Sequence, residues 1–194
     1  MKQRDALLAG AKKCLVEKGY SHTTARDIAA ASGAHLGSIG YHFGSKDRLM
    51  HLAAVELSSE WGDTLLRVAR AAGGDTPAER LHAFLTGLLA SLPASGEVQS
   101  ASVQALAQAR FDDELRRTLA EGLAAGRAEL AAIVLGRAPA EPDAPEVRAL
   151  GTLVHALTMG LVAQALVDPA ALPDPDTLAA TLRVLGQPTP TAAS

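Results

Sequence analysis

Helix start and stop signals recur along the whole chain and constrain its fold more than any other feature. Thr24 followed by Asp27, and Thr76 followed by Pro77 and Glu79, each place a capping side chain before a helix and an acid three residues later. Glycines and prolines separate the segments that these signals begin. No Asn-Gly or Asp-Gly turn predicts a β-hairpin. The sequence therefore predicts an all-α fold.

Apolar residues spaced three and four apart place the helices and a core. In the first helix, Leu7, Ala11, Cys14 and Leu15 share one side, which we expect to be buried. We predict helices at residues 3–18, 25–32, 35–41, 46–70, 77–92, 97–108, 112–137, 144–167 and 175–185. We expect an N-terminal helix-turn-helix domain at 1–50, a helical effector-binding and dimerisation domain at 51–186, and a flexible tail at 187–194.

The charges are divided unevenly along the chain. Residues 1–50 hold eight Lys and Arg against four Asp and Glu, whereas the remainder holds ten against 17. All five lysines lie in the first 50 residues. This basic head on an acidic body favours binding of the head to a polyanion. The alternative is a solvated helix face.

One stretch, residues 149–167, carries no formal charge and is long enough to be considered as a membrane span. It contains His155 and Gln164, and it lacks flanking aromatic residues and lysines. A helix buried in protein is the better interpretation. No secretory signal precedes residue 20, so we expect a cytoplasmic protein without a membrane partner.

Residues 24–41 combine a short helix, a turn at Gly33 and a second short helix, which is helix-turn-helix spacing. In such units the second helix enters the major groove and its early side chains reach base edges. Here it offers polar groups at His35, Ser38 and Tyr41. We expect its apolar anchors to be Leu36, Ile39 and Phe43. An ordinary helical pair within a bundle remains the alternative.

The amino-acid sequence of this region is specific enough to compare with a known family. Thr24-Ala-Arg-Asp-Ile-Ala-Ala-Ala-Ser-Gly33, followed by Gly37-Ser-Ile-Gly-Tyr-His-Phe-Gly-Ser-Lys46, resembles the DNA-binding domain of TetR-family transcriptional regulators. The resemblance covers about residues 3–50 and implies binding to double-stranded DNA. Gly40 stands where the family usually has a phosphate-contacting tyrosine, so that hydroxyl contact is missing. The implied DNA-binding residues are Thr24, Arg26, His35, Leu36, Gly37, Ser38, Tyr41, His42 and Lys46.

The same resemblance implies a homodimeric repressor that a small-molecule effector releases from palindromic operator DNA. Small residues on the long apolar helix suit close packing across a dimer interface: Gly151, Ala156, Gly160 and Ala163. The candidate effector-binding residues are His82, Phe84, Gln104, Gln108, Phe111, His155 and Met159. Residues of these types are more often ordinary core or surface residues than ligand contacts.

Enzymatic chemistry has little support in this sequence. It contains no phosphate-binding loop, no nucleophile elbow and no His or Cys spacing typical of a metal site. We therefore expect neither an enzyme nor a cofactor or metal. The alternative function is a helical effector-binding or scaffold protein without specific DNA binding.

Overall fold

The computed structural model describes residues 3–137 and 144–185, and all regular elements in these ranges are helical. This confirms the predicted all-α fold. The predicted tail and Asp143, the predicted cap of the eighth helix, lie outside the described residues. The helices are α1 (Gln3–Lys18), α2 (Ala25–Ser32), α3 (Gly37–Phe43), α4 (Lys46–Ala72), α5 (Pro77–Ser91), α6 (Gly96–Gln108), α7 (Asp113–Leu135), α8 (Pro145–Val167) and α9 (Pro175–Leu185).

The predicted caps form. Thr24 and Thr76 each complete a reciprocal capping box with the acid three residues later. Ser45 Oγ accepts a hydrogen bond from the Arg48 N–H at 3.0 Å at the start of α4. The helix ends are less well predicted: α7 ends at Leu135 rather than 137, because the next residue is a glycine with φ of +73°.

The chain divides into two compact units. The first contains residues 1–64 and 93–127, and the second contains 65–92 and 128–194. The predicted boundary after residue 50 falls inside α4, which runs without a break from Lys46 to Ala72. The predicted boundary therefore does not coincide with a break between helices.

In the first unit α1 packs against α2, α3 and α6. Leu7, Leu15, Ile28 and Leu49 are fully buried in its core. Gly10 allows α1 and α2 to approach closely, since a Cβ at this position would lie 2.9 Å from the Cβ of Ser32. The predicted inner side of α1 is therefore confirmed, and α2 and α3 pack against this helix.

In the second unit α5 packs against α9, and Phe84, Leu85 and Leu88 of α5 are buried. Arg80 ties two backbone segments together. Its Nε donates to the Val134 carbonyl at 2.9 Å, and its Nη1 donates to the Gly74 carbonyl at 2.8 Å. These bonds satisfy carbonyl groups that lie near the ends of helices.

Candidate nucleic-acid interface

Helix α2 begins at a tightly bonded cap. Thr24 Oγ1 accepts a hydrogen bond from the Asp27 N–H at 3.2 Å, and the Thr24 N–H donates to Asp27 Oδ2 at 2.8 Å. Lys18 Nζ lies 2.5 Å from Asp27 Oδ1. The hydrogen bonds from Lys18 and then Thr24 hold the pKa of Asp27 well below its ordinary value. The Thr24 side chain is engaged in this cap, so at the start of α2 the groups suited to binding an anion are the first-turn backbone N–H groups.

Gly33 produces the turn between the two short helices. It adopts the left-handed conformation with φ of +66°, which glycine tolerates best. The next residue, Ala34, donates its N–H to the Ala29 carbonyl at 3.2 Å and closes the end of α2. The structure thus contains the helix-turn-helix geometry that the spacing predicts.

Helix α3 starts two residues later than predicted. The His35 carbonyl accepts from the Ser38 N–H at 3.0 Å, and the Leu36 carbonyl accepts from the Ile39 N–H at 3.3 Å. These short-range bonds make residues 35 and 36 an entry turn, so the helix begins at Gly37. His35 and Leu36 therefore lie on the approach to α3 rather than within it.

The two faces of α3 differ sharply in burial. Ile39 and Phe43 are 3% and 4% exposed and anchor the helix in the core. Leu36 was predicted as a third anchor, but this is wrong because its side chain is 49% exposed. Tyr41 is 86% exposed. The exposed Leu36 and Tyr41 mark the face of α3 that is open to a ligand.

Tyr41 and His42 form an aromatic pair beside Gly40. Their ring centroids lie 4.9 Å apart in an edge-on arrangement. A Cβ added to the exposed Gly40 would meet no atom within 4 Å. Packing therefore does not require glycine at position 40.

Lys46 connects the start of α4 to the loop before α2. Its ammonium group donates to the Thr23 carbonyl at 3.3 Å and lies 3.2 Å from Asp47 Oδ1. It also lies 5.6 Å from the centroid of the Tyr20 ring. The Lys46 ammonium group is thus held close to the start of α2. A phosphate at this point could accept hydrogen bonds from both the ammonium group and the first N–H groups of the helix.

Charge counting overstates the basic character of the head. Lys12 pairs with Glu56 and Glu60, and Arg48 pairs with Glu114. Arg26 is exposed, and within the described residues it has no acidic partner. Because acids from outside residues 1–50 neutralise Lys12 and Arg48, fewer basic side chains of the head are available to bind an anion than the composition indicates.

Two residues at the start of α1 belong to this surface and were missed in the sequence. Gln3 Nε2 donates to Ser38 Oγ at 3.0 Å, and the Arg4 guanidinium lies 5.1 Å from the centroid of the Phe43 ring. Both contacts join α1 to α3. Only the packing of α1 against α3 brings these residues together, because 35 positions separate Gln3 from Ser38.

Tyr20 and His51 form a partly buried pair that joins the loop after α1 to α4. The Tyr20 hydroxyl lies 2.9 Å from His51 Nε2, and the two rings stack with centroids 5.6 Å apart. Burial raises the pKa of Tyr20 to about 12. Burial likewise lowers the pKa of His51, against the opposing charges of Asp47 and Asp112. The neutral pair therefore belongs to the folded state at neutral pH.

Comparison with known proteins identifies the family. The profile of bacterial regulatory proteins of the tetR family matches residues 7–53, and the profile of BetI-type transcriptional repressors, C-terminal, matches residues 77–186. The chain belongs to the TetR family. This confirms the resemblance found in the sequence, and it extends that resemblance from the head to most of the remaining chain.

Individual relatives agree with this assignment. The repressor AcnR of Corynebacterium efficiens is 36% identical over 62 residues, covering 32% of this chain and 33% of AcnR. BetI of Stenotrophomonas maltophilia is 29% identical over 85 residues, covering 44% of this chain and 43% of BetI. These matches span less than half of each curated relative. A solved transcriptional regulator from Rhodococcus sp. Rha1 has a TM-score of 0.64 at 25% identity, covering 94% of this chain and 93% of that one.

The effector candidates of this TetR-family chain do not converge on one described hollow. Phe84 is 1% exposed and belongs to the core, whereas Phe111 is 78% exposed. His82 lines a hollow of about 250 Å³ beside Asp176, whose Oδ1 lies 2.9 Å from His82 Nε2. A larger hollow of about 480 Å³ is lined by none of the seven candidates. Gln104, Gln108 and Phe111 belong to the first unit, and His82, Phe84, His155 and Met159 to the second.

Helix α8 presents an apolar stripe to solvent. Ala156, Gly160 and Ala163 are exposed on it, and Leu153 and Val167 are 69% and 87% exposed. Gly151, predicted beside them, is instead buried in its own unit together with Val154, Thr158, Leu161 and Val162. The helix thus has a buried side that fits its own unit and an apolar outer side.

No group of three or more His, Cys, Asp or Glu side chains suited to a metal ion is found within residues 3–137 and 144–185. Cys14 is 3% exposed, and burial raises the pKa of its thiol. A buried thiol with a raised pKa is a poor nucleophile, which agrees with a packing role.

Proposed function

We propose that this chain is a transcriptional repressor that binds palindromic operator DNA as a homodimer and leaves it when a small effector binds. The exposed face of α3, held by the buried Ile39 and Phe43, is the observation that carries the proposal. A recognition helix must be rigid on one side and open on the other to place side chains against base edges. The family assignment supports the same function.

Within this proposal the head residues divide into two roles. Lys46, the first turn of α2 and the Tyr41–His42 pair meet the phosphate backbone and orient the protein. Arg26 lies exposed on that first turn. Ser38, with Leu36, Gly37 and His35 beside it, faces the bases. Phosphate contacts position a protein on the duplex, and base contacts provide the sequence preference.

The apolar stripe of α8 supports assembly of two copies. Ala156, Gly160 and Ala163 have short or absent side chains, so two such helices could approach closely across a two-fold axis. The length and hydropathy of α8 would also permit a membrane span: its mean hydropathy is 1.7 and 28% of the most apolar window is buried. The match of residues 77–186 to a repressor domain favours the dimer and a cytoplasmic location.

Release from DNA follows from geometry. Two heads read successive major grooves only when they are about 34–36 Å apart, which is one turn of the duplex. An effector that binds better to a conformation with another spacing shifts the population away from DNA by its difference in affinity. The binding of that effector is assigned to the C-terminal helices.

Selection of bound sequences from random duplex DNA, followed by titration with salt, tests the proposal. We expect a palindrome whose half-sites lie one helical turn apart and an affinity that falls steeply with salt. A protein that enriches no sequence and ignores salt would instead be the helical effector-binding or scaffold protein. Arg67→Ala in the second unit is a control that removes one exposed charge outside the proposed interface.

A further inference from the structure

The side chain of Gln3, in the first turn of α1, reaches the recognition helix. Its Nε2 lies 3.0 Å from Ser38 Oγ. Ser38 is half-buried, whereas Gln3 is exposed at the edge of the same surface. Gln3 therefore contacts the hydroxyl group that is proposed to meet the bases.

The first turn of α1 is held in place by the burial of the following turn and by a second contact with α3. Leu7, one turn along the helix, is fully buried in the core of the unit. The Arg4 guanidinium lies over the Phe43 ring of α3, 5.1 Å from its centroid. The Gln3 amide is thus presented by a supported helix turn rather than by a free chain end.

Hydrogen-bond accounting determines what the Ser38 hydroxyl can offer. A serine hydroxyl has one proton to donate and two lone pairs that accept. The Gln3 amide donates, so it occupies a lone pair of Ser38 Oγ and leaves the proton unused. No acceptor for that proton is found in the part of the chain that the structure describes. Ser38 is only half-buried, and a Cβ added to the adjacent Gly37 would meet no atom within 4 Å, so the hydroxyl borders open surface.

We propose that Gln3 is a positioning residue for base recognition: by donating to Ser38 Oγ, it makes the Ser38 hydroxyl a hydrogen-bond donor toward the major groove. The base that it selects is then one that offers an acceptor there, which means N7 or O6 of guanine, N7 of adenine, or O4 of thymine. Cytosine, which offers only the N4 donor, is disfavoured. This inference rests on the proposed function, because it requires that α3 reads the major groove.

Two variants, one that keeps and one that reverses the direction of the Gln3–Ser38 hydrogen bond, test the proposal. Gln3→Lys keeps a donor, whereas Gln3→Glu presents only acceptors and would take the Ser38 proton for itself. Each is made in the native chain and together with Ser38→Ala, and base preference is measured by selection and competition on duplexes randomised at single positions. Preference is a ratio between sequences, so the uniform effect of adding a charge cancels.

We expect Gln3→Lys to retain the native base at the position that Ser38 contacts. Gln3→Glu should favour a base with a major-groove donor, cytosine or adenine, by roughly threefold to tenfold, the scale of one hydrogen bond. With Ser38→Ala, the native residue and both substitutions at Gln3 should give one common preference.

Three results would overturn the proposal. Unchanged preference in Gln3→Glu, with a defined operator still selected, removes the role of Gln3 and leaves the proposed function intact. A change of preference that persists with Ser38→Ala means that Gln3 contacts DNA by itself. Failure of the native protein to select any sequence removes the proposed function, and this inference with it.

Discussion

The head formed by α1–α3 and the helix α8 carry the two proposed binding surfaces, and they differ in chemistry. On α3 the outer face presents Ser38, Tyr41 and glycines, while Ile39 and Phe43 are buried beneath them. On α8 the outer face is apolar, with Leu153 69% exposed. A polar surface can remain hydrated when no DNA is bound. An exposed apolar stripe is unfavourable in water, so covering it with a second protein surface lowers the free energy.

This difference indicates where each surface is completed. The proposed DNA-binding surface is assembled within one chain, by caps and contacts among α1, α2 and α3. The α8 surface calls for a partner of the same kind, since its small residues suit self-complementary packing. Four variants break or sharpen this comparison.

The largest effect is expected from Gly160→Arg on α8. A long charged side chain would separate the two proposed α8 helices, so we expect monomers or aggregates and loss of operator binding. Light scattering and a DNA-binding titration measure both effects. Gly122→Arg on α7 is the matched control, because Gly122 is also exposed with no atom near an added Cβ. A soluble native monomer that still binds palindromic DNA through a single head would rule out this assembly.

A large effect on stability is expected from Leu7→Ala in the core of the head. Leu7 is fully buried, and its truncation should lower the free energy of unfolding by about 2–5 kcal/mol. Chemical denaturation measures this change. Val16→Ala on the same helix is the control, because Val16 is 52% exposed and should cost far less. Equal losses in the two variants would contradict the assigned inner face of α1.

A smaller effect is expected from Lys46→Ala on DNA binding. The loss of one phosphate contact should weaken binding to all duplexes alike and lower the salt slope by about one unit. Titrations at several salt concentrations give the slope, with Arg67→Ala as the control. An unchanged slope would remove Lys46 from the phosphate contacts and leave it a structural link to the Thr23 carbonyl.

The smallest effect is expected from the titration of His51. Its pKa is lowered in the folded state by burial, so the unfolded chain binds more protons as the pH falls through about 6.5, the ordinary histidine value. Stability should therefore decrease on acidification through that range. Denaturation of the native protein and of His51→Gln at pH 7.5 and 5.5 measures the difference. A pH dependence of equal size in the variant would assign the effect to other groups.

The predicted DNA-binding residues illustrate how far local signals reach. The Thr24 cap, the left-handed Gly33 and the buried Ile39 and Phe43 follow from residues only a few positions apart, and the structure contains them all. Leu36 was misassigned as an anchor because periodicity does not distinguish an entry turn from a first helical turn. The assignments of DNA contacts themselves remain predictions for the experiments above.

By itself, the sequence determined the helical fold class, most helix starts and the TetR-family resemblance, because capping, glycine turns and apolar spacing act over three to seven residues. The tertiary structure alone decided that Gln3 and Arg4 meet α3, that head cations are paired with acids, and that Gly151 faces inward while Gly160 faces outward. These facts depend on which helices pack together. Contacts between residues far apart in the chain arise from the burial of whole helix faces, and local patterns do not specify them.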